Sequence, residues 1–175
     1  MSRRNVLALL EGGDRRSIGR ADEVAAMVSR DPGLFPELMV GLWCDDPVVR
    51  MRAGDAAEKV TRGNYELLQP YKKELLGLMV QTQQQELRWH LVAMIPRLSL
   101  NAKERRLAAS IMNSYLEDRS SIVKTSALQG LADLAQNDAG LRPKVIETLR
   151  EATRNGTAAM KARGRKLLLH LRGGK

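Results

Sequence analysis

The chain has 175 residues, of which 43% are apolar and only 3% aromatic, with a net charge of +9. That length supports one domain burying roughly 70% of the surface its unfolded form exposes, and the scarcity of aromatics leaves the core to Leu, Val, Ala, Met and Ile, a helix-forming set. Cys44 is the only cysteine, which excludes an internal disulfide and leaves His90 and His170 without thiolate company for a zinc site.

In chain order, residues 1–30 read as a degenerate terminal pair: a short helix near 4–10, a break at Gly12, Gly13 and Asp14, and a helix near 21–28. The apolar run at 6–10 stops at Glu11, too short for a signal peptide. No stretch approaches the ~20 apolar residues of a membrane helix. A soluble, cytoplasmic protein without a membrane partner is the expectation, the lone cysteine fitting a reduced compartment.

From residue 31 onward the chain alternates two kinds of amphipathic segment. The first kind spans 34–43, 67–81, 104–116 and 141–153, with Pro36, Pro70 and Pro143 in the opening turns of three of them, where proline is tolerated. The second kind is in register with itself. Its basic residues Arg50, Arg88, Lys124 and Lys161 lie 38, 36 and 37 positions apart. From each one, apolar or small residues stand at −1, +3, +7 and +10: Val49, Ala53, Ala57, Val60; Leu87, Leu91, Ile95, Leu98; Val123, Ala127, Leu131, Leu134; Met160, Gly164, Leu168, Leu171. Steps of four, four and three keep one face of a 3.6-residue helix turned inward. Asp46 before Pro47 supplies a helix cap, Ser120 or Ser121 another, and the starts at Gln85 and Thr157 are weaker. Self-similarity at this period predicts stacked helix hairpins in one domain, with boundaries at 1–30, 31–63, 64–100, 101–136 and 137–172.

These residues resemble HEAT repeats in their short bacterial form. The resemblance rests on the start Asp46-Pro47-Val48-Val49-Arg50 with Ala53, on Val123-Lys124 with Ala127-Leu128, and on the first-helix prolines, and it covers about residues 31–172. It implies an all-α, right-handed α-solenoid of about five helix pairs whose second helices line a concave face, and it says almost nothing about activity. The fourth copy departs most, with Met160 and Gly164 at the Val and Ala positions.

On a helical wheel the +1 column lies at about 200° from the −1 residue, facing away from the buried stripe, and the +2 and +5 columns, at about 300° and 240°, run beside it. They read Met51, Trp89, Thr125, Ala162; then Arg52, His90, Ser126, Arg163; then Asp55, Ala93, Gln129, Lys166. Met51, Arg52, Trp89, His90, Ala93, Thr125 and Gln129 are therefore the expected partner-binding residues. Trp89 is either a binding anchor or an aromatic laid over a neighbouring repeat. The recurring cation at Arg50, Arg88, Lys124 and Lys161 is expected to bridge adjoining repeats rather than to bind anything.

By segment the net charge is +2 over 1–30, −3 over 31–66, +3 over 67–103, −1 over 104–140 and +8 over 141–175. The excess at the end, carried by Arg154, Arg163, Arg165, Lys166 and Arg172 among others, suits either a solvated terminal helix or an anionic partner. No nucleophile elbow, phosphate loop or metal-ligand spacing is present, so neither an enzyme nor a cofactor is expected. A branch of HEAT-like proteins comprises DNA glycosylases with a Trp and an Asp about one turn apart. Here Trp89 is followed at that distance by Ala93 and Trp43 by Pro47, which argues against that activity. The expectation is a non-enzymatic scaffold for a partner protein or peptide, with nucleic-acid or polyanion binding through the basic C-terminal repeat as the alternative.

Overall fold

The computed structural model describes residues 5–173, except the side chain of Arg172. The described residues are all-helical. They form nine α-helices, with 3-10 segments in several of the connections: α1 (Ala21–Arg30), α2 (Phe35–Val40), α3 (Pro47–Thr61), α4 (Lys72–Gln81), α5 (Gln85–Met94), α6 (Ala102–Ser114), α7 (Ser121–Gln136), α8 (Arg142–Asn155) and α9 (Ala158–Gly173). No helix among the described residues is long and apolar enough to cross a membrane.

Helix starts follow local chemistry. Asp46 caps α3, its carboxylate accepting from the Val48 N–H at 2.8 Å with Pro47 in the first turn, and Ser120 caps α7 through the Val123 N–H at 3.3 Å. Asn101 and Glu104 close a reciprocal capping box on α6. At α5 no side chain caps the start, as its glutamine-rich sequence implies. The proline at position 70 has a larger effect than a first-turn proline: residues Tyr65–Tyr71 form a 3-10 helix containing it, and α4 begins only at Lys72. Similarly Pro96, which has no N–H to donate to the Val92 carbonyl, ends α5 at Met94 in a 3-10 turn, Ile95–Arg97.

Packing follows the register. The odd-numbered helices α1, α3, α5, α7 and α9 lie side by side in chain order, and α2, α4, α6 and α8 each pack on the odd helix that follows. Every residue of the −1, +3, +7 and +10 set is buried except Leu168, which is half-buried. Each fully buried Val, Leu or Ile side chain of this stripe contributes about 1.5–3 kcal/mol. Glycine at position 164 has a local reason. A Cβ there would stand 2.5 Å from Thr153 Oγ1 and 3.1 Å from the Leu149 carbonyl oxygen, so α9 approaches α8 at a distance no larger residue permits.

Polar links join one pair to the next. Arg50 donates to the Cys44 and Asp45 carbonyls at 2.7 and 3.0 Å and to Gln84 Oε1 at 2.8 Å, while Gln84 Nε2 returns a bond to the Pro47 carbonyl at 2.7 Å. Arg88 repeats the arrangement one pair later, donating to Thr82 O at 3.0 Å and Asp118 Oδ2 at 2.6 Å. The side chains of Lys124 and Lys161 make no hydrogen bond or ion pair among the described residues, so the bridging role of this column is carried by its two arginines. An arginine fork reaches several acceptors at once where a lysine offers one point charge.

Candidate functional site: a groove across α5, α7 and α9

The columns expected to be exposed meet two different fates. On α5, α7 and α9 they open onto a groove of about 950 Å³. Trp89, Ala93, Thr125, Ser126, Gln129, Ala162, Arg163 and Lys166 line it. On α3 the same columns are covered: Met51 is 4% exposed and Arg52 3%. The expectation that these two residues form part of the binding surface is therefore corrected.

The cause is the N-terminal segment. Arg52 gathers main-chain carbonyls from it, those of Leu10, Glu11 and Gly12 at 2.8, 3.2 and 2.6 Å through one amino group, Asp14 at 3.3 Å through the other, and Ser17 at 3.2 Å through Nε. Gly19, at φ +53°, completes the fit, because a Cβ there would lie 2.7 Å from the guanidinium carbon. Arg15 reaches farther along, to Glu86 at the start of α5, at 3.7 Å.

His90 is corrected as well. It does not line the groove but turns toward α3, where a Cβ on Gly54 would touch its ring at 3.3 Å. Burial pushes its pKa down to about 4, against the opposing pull of Asp55, Glu58 and Glu86. The imidazole is thus neutral at pH 7, and its Nε2 accepts a hydrogen bond from Trp89 Nε1 at 3.1 Å, with the two rings edge to face at 62°. Trp89 itself is half-buried: it packs against the core and also lines the groove. It thus packs over the core and faces the groove at once.

The C-terminal cations do not form one site. Arg163 and Lys166 line the groove, Arg163 donating to Gln129 Oε1 at 3.1 Å. Arg154 pairs with Glu151 at 3.2 Å away from the groove, and Arg165 is exposed outside it. Arg172 lies outside the described side chains. Helix α9 contains no Asp or Glu, so its groove-facing side is positive, with Asp133 of α7 within electrostatic reach of Arg163.

Several lining residues were not read from the sequence. Tyr65, Ile122, Arg97 and Asp133 belong to the groove. Arg97 and Asp133 stand at +9 from the repeated cation, at a wheel angle beside the +1, +2 and +5 columns, so a third turn of the wheel would have found them. Arg97 is already engaged. It donates to the Glu58 carbonyl at 2.7 Å and to Thr61 Oγ1 at 2.9 Å, and it pairs with the Glu58 carboxylate. Burial alone would raise the Glu58 pKa, but hydrogen bonds and charge from Arg62 and Arg97 outweigh it and hold the carboxyl below its usual range. Asp133 moves the other way, burial raising its pKa while the Gln129 amide, donating at 2.9 Å, partly offsets that. Sequence spacing sets no carboxylate one turn from Trp89. The groove takes one from the next odd helix instead.

Among the described residues no three His, Cys, Asp or Glu side chains come together as a metal site. Asp133 is the one carboxylate among the described residues of the lining, which includes neither His nor Cys. Compared with known proteins, the chain matches no family model and no curated protein sequence.

Proposed function

We propose that this chain is a non-enzymatic, HEAT-like scaffold, a right-handed α-solenoid of about five helix pairs, that holds a segment of a partner protein in the groove of α5, α7 and α9. The observation that carries the reading is the groove's lining: an apolar stretch of Trp89, Ala93, Pro96 and Ile122 beside the cations of α9. Large aromatics in a concave surface with a polar rim are the usual anchors of protein recognition. A single carboxylate tied to Gln129, with no histidine or cysteine among the described residues of the lining, gives a weak basis for acid–base or nucleophilic chemistry. The lone Cys44, free and half-buried, suits a reducing cytoplasm.

Charge favours a protein segment over a nucleic acid strand. A strand carries phosphate at every nucleotide and needs cations along its whole path. Here Arg97 is neutralised by Glu58, Asp133 lies in the lining, and only Arg163 and Lys166 on one side remain to meet an anion. Affinity capture on immobilised wild-type chain, compared with the double variant Trp89→Ala, Lys166→Gln, tests the reading. A set of proteins held by the wild type and released by the variant is expected, and identical capture by both, or retention of nucleic acid alone, contradicts it.

A further inference from the structure

The groove and the buried face of α3 are the same surface of successive odd helices, because Met51, Arg52 and Asp55 occupy the register positions of Ala162, Arg163 and Lys166. On α3 that surface already holds a piece of polypeptide. Residues 10–17 cross it without α-helix, and Arg52 reads their backbone rather than their side chains, through the five carbonyls of Leu10, Glu11, Gly12, Asp14 and Ser17. On α9 the same register position carries a second arginine, Arg163, which is exposed and whose guanidinium donates to Gln129. Between them the column changes to His90 and Ser126, so only its two ends carry a guanidinium.

Resting on the proposed protein-binding role, we infer that the groove takes an extended, acidic segment of a partner protein, with Arg163 gathering its main-chain carbonyls as Arg52 gathers those of residues 10–17. A planar guanidinium with five donors suits several carbonyls presented along a turn or extended chain, whereas the backbone carbonyls of a helix are already bonded within it. Acidity of the occupant follows from the wall it faces. Lys166 and Arg163 stand on a helix that contains no acid and outnumber Asp133, the one carboxylate of the described lining, which lies within electrostatic reach of Arg163, and Lys166 makes no ion pair among the described residues. Trp89 and Ile122 then receive an apolar side chain of the same segment. The N-terminal segment of a second copy is a poor occupant, since it brings Arg15, Arg16 and Arg20 to that wall.

The test uses a phage-displayed library of random short peptides selected on the full chain, with the recovered peptides labelled and titrated by fluorescence anisotropy. Recovered sequences are expected to combine Asp or Glu with an apolar residue, to tolerate a central proline, and to bind Arg163→Lys about tenfold below wild type, for loss of the fork, and Arg163→Gln more weakly still, for loss of the charge as well. Lysine keeps the charge and loses the fork, so wild-type affinity in Arg163→Lys overturns the carbonyl-gathering role. Neutral or basic consensus peptides, or loss of binding whenever proline is introduced, overturn the extended acidic occupant. Peptides that bind Trp89→Ala as well as wild type, or a library that yields none, sink the underlying groove reading instead. Displacement of the peptide by a single-stranded oligonucleotide at lower concentration overturns the choice of a protein segment.

Discussion

The Arg88 guanidinium donates to the Asp118 carboxylate at 2.6 Å, tying the start of α5 to the loop before α7 across thirty residues of sequence. Asp118 is almost wholly enclosed, its side chain 2% exposed, and it also accepts from the Ser120 N–H at 2.8 Å. Arg88 lies over the Tyr115 ring at 4.8 Å, so the pair is bounded by aromatic surface. Removing one partner of such a pair leaves the other charge without compensation. Asp118→Ala is expected to lower the unfolding free energy by about 3 kcal/mol in urea titration. The register-equivalent change Lys124→Ala, at a cation with no ion pair among the described residues, is expected to stay within about 0.5 kcal/mol.

Two helix glycines should respond in opposite directions to alanine. At Gly130 a Cβ would fall 2.6 Å from Val92 Cγ1 and 2.8 Å from Met112 Sδ, so Gly130→Ala forces α7 away from its neighbours and is expected to cost about 1–3 kcal/mol. At Gly77, in α4, a Cβ meets nothing within 4 Å. There Gly77→Ala is expected to stabilise by about 0.5–1 kcal/mol, because the unfolded chain loses more freedom than the folded one. Thermal unfolding of the two variants gives the comparison.

His90 should make stability depend on pH. Its folded pKa of about 4 lies below the ordinary 6.5, so the unfolded chain binds the proton more readily, and stability present above pH 6.5 is lost as pH falls toward 4. Glu58, held below its usual range, adds to the loss only at lower pH, and Asp133, raised, opposes it there. Between pH 7 and pH 5 the His90 contribution is about 2 kcal/mol. Denaturant titrations of wild type and His90→Gln at both values are expected to differ by that amount in slope, with the variant the flatter.

Much of the fold was legible because its information is periodic. Val49, Leu87, Val123 and Met160 open stripes whose spacing requires a helix face, and those residues are buried. Proline was misjudged at position 70, where a first-turn residue on paper sits inside a 3-10 helix. The groove was half legible. Trp89, Gln129 and Arg163 follow from the wheel, but a wheel treats every repeat as equally uncovered, and only the folded chain shows residues 10–17 lying on Arg52. Asp133 escaped because a carboxylate was sought on the same helix as Trp89 and came from α7.

Arg52 makes the N-terminal segment a test object in its own right. Arg52→Lys keeps the charge but cannot serve five carbonyls, so residues 11–20 should open locally while the helices remain folded. Limited trypsin digestion is expected to cut at Arg15 or Arg16 about tenfold faster than in wild type, with circular dichroism unchanged.

The most direct test of the groove uses Trp89 itself as reporter. In the Trp43→Phe chain Trp89 is the sole indole, and acrylamide quenching of its emission can be measured while an acidic peptide selected on the protein is titrated to saturation. Quenching that falls as the peptide binds, with a midpoint matching the anisotropy titration, is the result expected of an occupant seated over Trp89. Full binding with quenching unchanged would place the partner elsewhere on the molecule and contradict it.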